Sequence, residues 1–177
     1  MARIFTVLLL ATTLSACTKT YQPEDVSIYD KHVRDFVVSG DVAVSSVNLE
    51  EPPAVIWDNL VTFKTSYTDI ANSIASQLNR EIDENSTVDG DLNKNVFIQV
   101  DNFYLEPHQQ DLKIHMDFTV IGDRGFEKHF AFEGQPTEKS SEGITRSFDN
   151  AIAYSVEKIL KNSAVLNYLA NTETRSY

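Results

Sequence analysis

Four polar side chains in the second half of the chain are of types that bind divalent metal ions: His115, Asp117, His129 and Glu133. They alternate with apolar residues along two consecutive stretches, which predicts neighbouring strands with all four side chains on one face of a sheet. A three-residue loop between the strands places His115 across from Glu133. The same loop places His129 across from Thr119 and diagonal to Asp117. Cross-strand polar pairs on a solvated face are routine, so the sequence predicts no metal and no cofactor, and these four residues are the ones to test.

The usual catalytic motifs are missing from the sequence. It has no Gly-x-Ser-x-Gly elbow, no glycine-rich phosphate loop, no His-Glu-x-x-His helix and no second cysteine for a redox pair. Several carboxylates lie at the end of one predicted helix or off the apolar stripe of another, where we expect them to be solvated: Glu81, Asp83, Glu84, Asp149 and Glu157. Catalysis needs convergent groups in a pocket that excludes water. The sequence therefore predicts a protein that is not an enzyme.

The only cysteine, Cys17, follows an N-terminal stretch that is typical of an export signal. Arg3 supplies a positive start, and residues 4–11 form a short, mostly apolar core. This core is too short to span a bilayer as a permanent helix, so residues 1–16 predict a secretory signal peptide. The stretch closes on Leu14-Ser15-Ala16-Cys17. In an ordinary signal peptide Cys17 would be incidental, and this alternative stays open.

The ending resembles the lipobox of bacterial lipoproteins, in which a leucine and two small residues precede a cysteine that is lipidated. The resemblance implies cleavage between Ala16 and Cys17, and lipid on Cys17 that includes palmitate. In proteobacterial lipoproteins an aspartate after the cysteine usually retains the protein in the inner membrane. Thr18 occupies that position here, so the resemblance implies export to the outer membrane, with the domain facing the periplasm.

Charge and length describe the part that remains after cleavage. Its 161 residues suit one domain with a hydrophobic core. Loss of residues 1–16 removes a single charge, Arg3, and moves the formal net charge from −11 to −12. Such an acidic chain argues against binding nucleic acid or lying flat on anionic lipid. We therefore expect membrane contact through lipid on Cys17, at about 0.8 kcal/mol per buried methylene group.

The chain after the cysteine divides into a tether and a domain. Residues 17–32 are mostly polar, contain a proline and show no sustained period, which predicts a tether. Val26, Ile28 and Tyr29 could dock on the domain and order part of it. The single domain is expected over residues 33–177. Its first residues, 36–38 and 42–47, are short and β-branched with Gly40-Asp41 between them. This pattern predicts a hairpin with a tight turn.

A helix is predicted over residues 67–82. Ser66 and Asp69 have the spacing of a capping box, and apolar residues then recur every four positions. A polar loop is predicted over residues 84–95, and three strands follow it. A three-residue loop with a left-handed Gly125 would pair Phe118 with Phe130 and keep the aromatic side chains of the last two strands on one face.

The last predicted elements are helical. An apolar stripe over residues 142–161 includes Phe148, and Ser163 is the predicted N-cap of a short closing helix. The predicted order is β-β-α-β-β-β-α-α. It corresponds to an α+β fold, an antiparallel sheet of about five strands with two main helices packed on one face.

The stretch from Leu112 to Tyr168 resembles the C-terminal half of YajG-type bacterial outer-membrane lipoproteins. The shared features are an alternating hairpin, a phenylalanine-rich strand ending in Phe132-Glu133-Gly134, the helix pattern over residues 143–151 and the closing residues 163–169. The auxiliary lipoproteins of lipid-handling ABC transporters are similar in layout, more loosely. The resemblance brings no catalytic residues, so it implies a class and a location without a reaction.

Two functions are expected on these grounds. The first is a non-catalytic outer-membrane lipoprotein whose periplasmic domain binds or scaffolds an envelope protein. The alternative is a lipid- or small-ligand-binding accessory component of an envelope transporter. A wide apolar cleft around Trp57, Phe63, Phe97 and Phe103 would favour the alternative, whereas a solid core with an exposed apolar edge would favour the first.

Overall fold

The computed structural model describes residues 17–21, 33, 35–58 and 61–171. The predicted signal peptide with Ala16, and residues 22–32 of the predicted tether, lie outside these ranges. The described residues form an α+β fold with the following elements: β1 (Cys17–Thr20), β2 (Phe36–Val38), β3 (Val42–Ser46), β4 (Ala54–Asp58), β5 (Val61–Thr65), α1 (Tyr67–Asn85), β6 (Ser86–Val88), β7 (Lys94–His108), β8 (Asp111–Gly122), β9 (Glu127–Glu133), β10 (Thr137–Glu138), α2 (Ser141–Lys161) and α3 (Ser163–Ala170). None of these helices combines the length and the apolar character that a membrane span requires.

The main sheet is built on the long hairpin of β7 and β8. β3 pairs with the outer side of β7, and β9 followed by β10 pairs with the outer side of β8. The predicted register is confirmed, because Phe118 pairs with Phe130 and Met116 pairs with Phe132. Gly125 has a φ of 75°, the left-handed conformation that the three-residue loop requires. Arg124 shares this conformation, with a φ of 63°.

Both long helices cover one face of the main sheet. Five apolar residues of β8 are buried on the face toward the core, Leu112, Ile114, Met116, Phe118 and Val120, whereas Ile121 lies on the opposite face and is partly exposed. Phe103 of β7 contacts the ring of Tyr67 in α1 at 4.7 Å and the ring of Phe148 in α2 at 5.9 Å. The α+β class and the placement of the helices are confirmed. Phe148 is buried as expected, but among the described residues its ring contacts are with Phe103 and Tyr21 instead of the phenylalanines of the β8–β9 hairpin.

The helix starts follow from capping side chains. Ser66 accepts a hydrogen bond from the amide of Asp69 at 3.0 Å, as the capping pattern predicted. Ser140 accepts one from the amide of Gly143 at the start of α2. At the start of α3 the cap is Asn162, whose side-chain oxygen accepts from the next two free amides, 3.0 and 3.2 Å away. The prediction of Ser163 as this cap is wrong by one residue.

The predicted hairpin of β2 and β3 is wrong, because each strand pairs elsewhere and in parallel. β2 pairs with β6, which lies inside the stretch predicted as a polar loop, and β3 pairs with β7. The residues expected to form the tight turn are bound to other segments. The amide of Ser39 donates to the carbonyl of Leu169 in α3, and a Cβ added at Gly40 would lie 2.8 Å from the backbone of Leu92. The main sheet is therefore mixed and not purely antiparallel.

The structure also differs from the predicted tether at its first five residues. Cys17–Thr20 forms β1, which pairs in parallel with β5, and β5 pairs on its other side with β4. Tyr21 follows with 1% of its surface exposed. Its ring lies 4.9 Å from that of Phe148, and its hydroxyl donates to Asp149 at 2.5 Å. The segment that begins at Cys17 is therefore part of the folded domain.

Candidate functional site

On the outer face of the β7–β8 hairpin, His115 lies among side chains of the two neighbouring strands, β7 and β9. Glu133 is its neighbour across the β8–β9 ladder, as predicted. The His115 ring nevertheless bonds to β7 and not to β9, because its Nε2 lies 2.7 Å from a carboxylate oxygen of Glu106. The ring also stacks on Tyr104 at 4.7 Å. Glu133 pairs with Lys113 at 2.6 Å, and the hydrogen bond from that lysine holds the pKa of the Glu133 carboxyl below its usual value.

The second histidine occupies a separate hydrogen-bonded chain. His129 lies across from Thr119, as predicted, and its Nδ1 is 2.7 Å from the hydroxyl of that residue. Thr119 donates its proton to Asp101 at 2.6 Å, which leaves its oxygen to accept from the imidazole. The other ring nitrogen of His129 is 3.1 Å from Glu127. Asp101 and Glu106 were not predicted, since a register shift after Val100 decides which β7 side chains lie beside β8.

Three of the four metal candidates, His115, His129 and Glu133, therefore bond to different partners. The fourth, Asp117, is exposed and lies across from Ala131 in the ladder. Among the described residues, no group of three or more histidine, cysteine, aspartate and glutamate side chains is placed to hold a metal ion. The arrangement has the chemistry of cross-strand pairs at a solvated face, which contribute little individually to stability.

Replacing His115 and His129 together with glutamine should leave the fold and the membrane location unaltered. We expect the free energy of unfolding to change by less than about 1 kcal/mol, because both side chains lie in solvent-accessible pairs. Denaturant unfolding and metal analysis of the purified protein check this. Stoichiometric zinc in the unmodified protein that is lost in the double variant would instead establish a metal site.

The carboxylates at the end of α1 do not all behave as predicted. Asp83 and Glu84 are exposed, but Glu81 is buried with 4% of its surface accessible. The Glu81 carboxylate accepts hydrogen bonds from the amides of Gln77 at 2.8 Å and Asn85 at 3.1 Å. A buried charge needs such partners, and here they come from the same helix. The prediction that Glu81 is solvated is wrong, and its bonds indicate a structural role.

A polar cluster at the opposite end of the hairpin fastens α3 to the sheet. Tyr168 donates to the carboxylate of Asp123, and its ring stacks on Phe126 at 4.4 Å. Burial, followed by the neighbouring Asp123, raises the pKa of the Tyr168 hydroxyl. Lys94 donates to the carbonyl of Asn171 at 2.8 Å, and burial lowers the pKa of its ammonium group. These contacts join α3 to β7 and to the β8–β9 turn, so the cluster has a packing role.

The four aromatic residues that were expected to line an apolar cleft are distributed differently. Phe63 is fully buried and Phe103 is 6% exposed, so both contribute to the core. Phe97 points to the face of β7 opposite the helices, and Trp57 is half-buried against the core. Phe103 does border a surface depression of about 270 Å³, together with exposed Val55 of β4 and exposed Tyr104, the next residue of β7. Of the two patterns expected, the solid core with an exposed apolar edge is the closer description.

A groove runs between β9 and α2. One end is a depression of about 390 Å³ that includes Phe132 and Tyr154, and the other is a depression of about 480 Å³ that includes Phe130, Tyr154 and Lys158. Tyr154 lines both depressions, which lie beside β9 along the outer edge of the main sheet, and we call the two together the β9–α2 groove. The sequence did not predict it, since it depends on how α2 lies against the strand.

The fold defines the class of protein, an α+β domain with helices on one face of a mixed sheet. No family model matches the chain, and no curated protein matches its sequence. Among solved structures, it is similar to the protein XCC0632 from Xanthomonas campestris, of the DUF330 family. The two share 9% sequence identity over 85% of this chain and 96% of that one, with a TM-score of 0.54.

A second solved structure, of an uncharacterized protein, is 9% identical over 82% of this chain and 97% of that one. Its TM-score of 0.46 is too low to support an argument. The likeness to XCC0632 shows a shared fold, and it is consistent with the fold that the YajG-type resemblance implies. Neither comparison identifies a site or an activity.

Proposed function

We propose that this protein is a non-catalytic outer-membrane lipoprotein whose periplasmic domain binds or scaffolds an envelope protein partner. One observation carries the proposal. The cysteine of the lipobox-like ending is the first residue of β1, and β1 is paired along its length with β5. Lipid on Cys17 would therefore hold the folded domain directly at the membrane surface, without a flexible linker.

A rigidly anchored domain suits a scaffolding role. The orientation of a domain on a long tether is averaged, whereas a sheet that begins at the anchor presents the same surfaces to the periplasm at all times. Such preorganisation lowers the entropic cost of binding a partner. The pairing of the candidate acids and histidines with neighbouring side chains also supports a role without catalysis.

The alternative is a lipid- or small-ligand-binding accessory component of an envelope transporter. The β9–α2 groove favours it, because depressions of about 390 and 480 Å³ fall in the size range of small-molecule sites. In-cell crosslinking followed by purification separates the two functions. A crosslinked envelope protein supports the scaffold, whereas co-purified lipid without any protein adduct supports the accessory role.

Replacing Cys17 with serine should leave an unprocessed or soluble periplasmic protein with its fold intact, because lipid on Cys17 is the proposed membrane contact and the acidic chain does not favour anionic lipid. Membrane fractionation of cells measures the result, and denaturant unfolding verifies the fold. The matched control is Thr18→Asp, which keeps the cysteine and should move the protein to the inner-membrane fraction. Sedimentation of the serine variant with the outer membrane would contradict the proposed anchor.

A further inference from the structure

We propose that the outer edge of β9 binds an extended, acidic segment of a partner protein, which adds a strand to the main sheet and fills the β9–α2 groove. This inference rests on the proposed function, and it names the surface and the chemistry of the partner. Addition of a strand to an exposed sheet edge beside a helix is a general mode of peptide recognition.

In the hydrogen-bond pattern of β9, the backbone amide and carbonyl of every second residue do not bond to β8. The amide of Gly134 donates to Ile114, and the amide of Gly122 donates to Phe126, so the even-numbered residues between them bond to β8. In an antiparallel ladder the amide and carbonyl of the intervening residues then point away from the partner strand. These are the odd-numbered residues 127–133, along a strand of seven residues. Among the described residues, the only group bonded to this outward row is the ammonium of Lys158, which lies 2.8 Å from the carbonyl of Ala131.

Other sheet edges are protected in ways that β9 is not. At the edge of β3, the side chain of Asn79 bonds both the amide and the carbonyl of Val44, at 2.9 and 2.8 Å. The edge strand β4 has a register shift between Val55 and Trp57. Such an irregularity interrupts the regular row of donors and acceptors that an added strand needs. β9 pairs with β8 without a shift and is the better template.

The groove beside β9 would receive the side chains of the added strand. Phe130 and Phe132 form its sheet side, and Tyr154 of α2 forms part of the opposite wall with 42% of its surface exposed. Alternate side chains of an added strand point to the same face. One set would therefore enter the two depressions on either side of Tyr154, and apolar side chains fit the aromatic floor.

The charge of the groove selects an acidic partner. Three lysines line one end of it, Lys128, Lys158 and Lys161, and Glu157 is the only carboxylate among the residues lining that end. This local excess of positive charge stands out in a chain with a formal net charge of −11. A strand amide can replace the Lys158 ammonium at the Ala131 carbonyl, which frees that lysine to pair with a carboxylate. A second copy of this chain is a poor occupant, because it would bring its own three lysines against these.

The test uses the full-length lipidated protein in detergent and a synthetic probe, an eight-residue peptide in which valine alternates with glutamate and threonine. Backbone hydrogen exchange of β9 is measured with and without the probe. We expect the outward amides of His129, Ala131 and Glu133 to become protected and binding to weaken as salt rises. A matched probe with lysine in place of glutamate should not bind.

Two variants test the edge and the charge separately. Ala131→Pro removes an outward amide without breaking the β8–β9 ladder, and a proline is tolerated at such a position. It should weaken probe binding about tenfold, whereas the control Ala131→Ser retains the amide and should bind normally. Replacing Lys158 and Lys161 together with glutamine should also weaken binding about tenfold. Thermal unfolding verifies that each variant is folded.

The outcomes separate this inference from the proposed function. Absence of protection on β9, or binding that Ala131→Pro does not weaken, would overturn the inference. Protection that rises with protein concentration alone would overturn it in favour of a second copy. An in-cell crosslink to an envelope protein could form from exposed Leu49 and not from Lys161 in the groove. That result would support the scaffold proposal and show that the partner does not bind at the β9–α2 groove.

Discussion

Replacing Phe148 with alanine is expected to lower the free energy of unfolding by about 3–5 kcal/mol. Phe148 of α2 is 1% exposed. Its ring contacts Tyr21, which follows β1, and Phe103 of the main sheet, so three parts of the chain meet at this residue. Truncation removes buried apolar surface and leaves a cavity that the rigid strands cannot fill. A loss of this size is a large part of the stability of an ordinary domain.

Denaturant unfolding measures this change, and Arg146→Ala serves as the control on the same helix. The Arg146 side chain is 62% exposed in a long ion pair, so its removal should change stability by no more than about 0.5 kcal/mol. A loss below about 1 kcal/mol for the Phe148 variant would mean that this face of α2 is not part of the core.

The second large effect is expected at Tyr21. Replacing Tyr21 with alanine removes the ring contact with Phe148 and the hydrogen bond to Asp149, and it should cost about 3–5 kcal/mol. It should also release β1 from β5. The buried Tyr21 side chain, together with the hydrogen bond from its backbone amide to the carbonyl of Lys64, fastens the end of that strand. Limited proteolysis should then cut the N-terminal segment early, and denaturant unfolding should show the loss of stability.

The variant Tyr21→Phe separates packing from hydrogen bonding. It keeps the buried ring and loses only the bond to Asp149, so we expect a smaller cost of about 0.5–1.5 kcal/mol and no early cleavage. If the alanine variant is as stable and as protease-resistant as the unmodified protein, the residues after Cys17 are the tether that the sequence pattern indicated.

The parts of the fold that the sequence predicted are those decided by neighbouring residues. The β8–β9 register follows from strict alternation along two strands and from the conformation of Gly125 between them. The cap of α1 follows from Ser66 and the residue three positions later. In each case the information lies within a few positions of the structure it specifies.

The parts that could not be predicted depend on distant segments. Val44 pairs in parallel with Val96, and Val38 pairs in parallel with Val88, so neither pairing is visible from the short stretches themselves. Tyr21 is an isolated aromatic residue between polar neighbours, Thr20 and Gln22, and belongs to no periodic pattern. Its burial depends on Phe148, which lies far away in the chain.

The candidate site shows the same division. The placement of His115 across from Glu133 was predictable from the hairpin, but the bond to Glu106 depends on the shift within β7. For Glu81 a signal was present, because Gln77 and Glu81 lie three positions after Ile74 and Leu78 and border the apolar stripe. A glutamine and a glutamate four positions apart at that border can bond each other and be buried together.

The position of β1 has a consequence for the order in which the molecule folds. The contact between Tyr21 and Asp149 joins residues 128 positions apart, so it closes a loop that covers most of a chain of 177 residues. Contacts of such long range form late, because loop-closure entropy opposes them until other structure has shortened the effective loop. During synthesis the N-terminal segment also emerges well before α2 exists. The residues around Cys17 therefore stay accessible until the C-terminal half is made, and β1 is fixed in place only as folding ends.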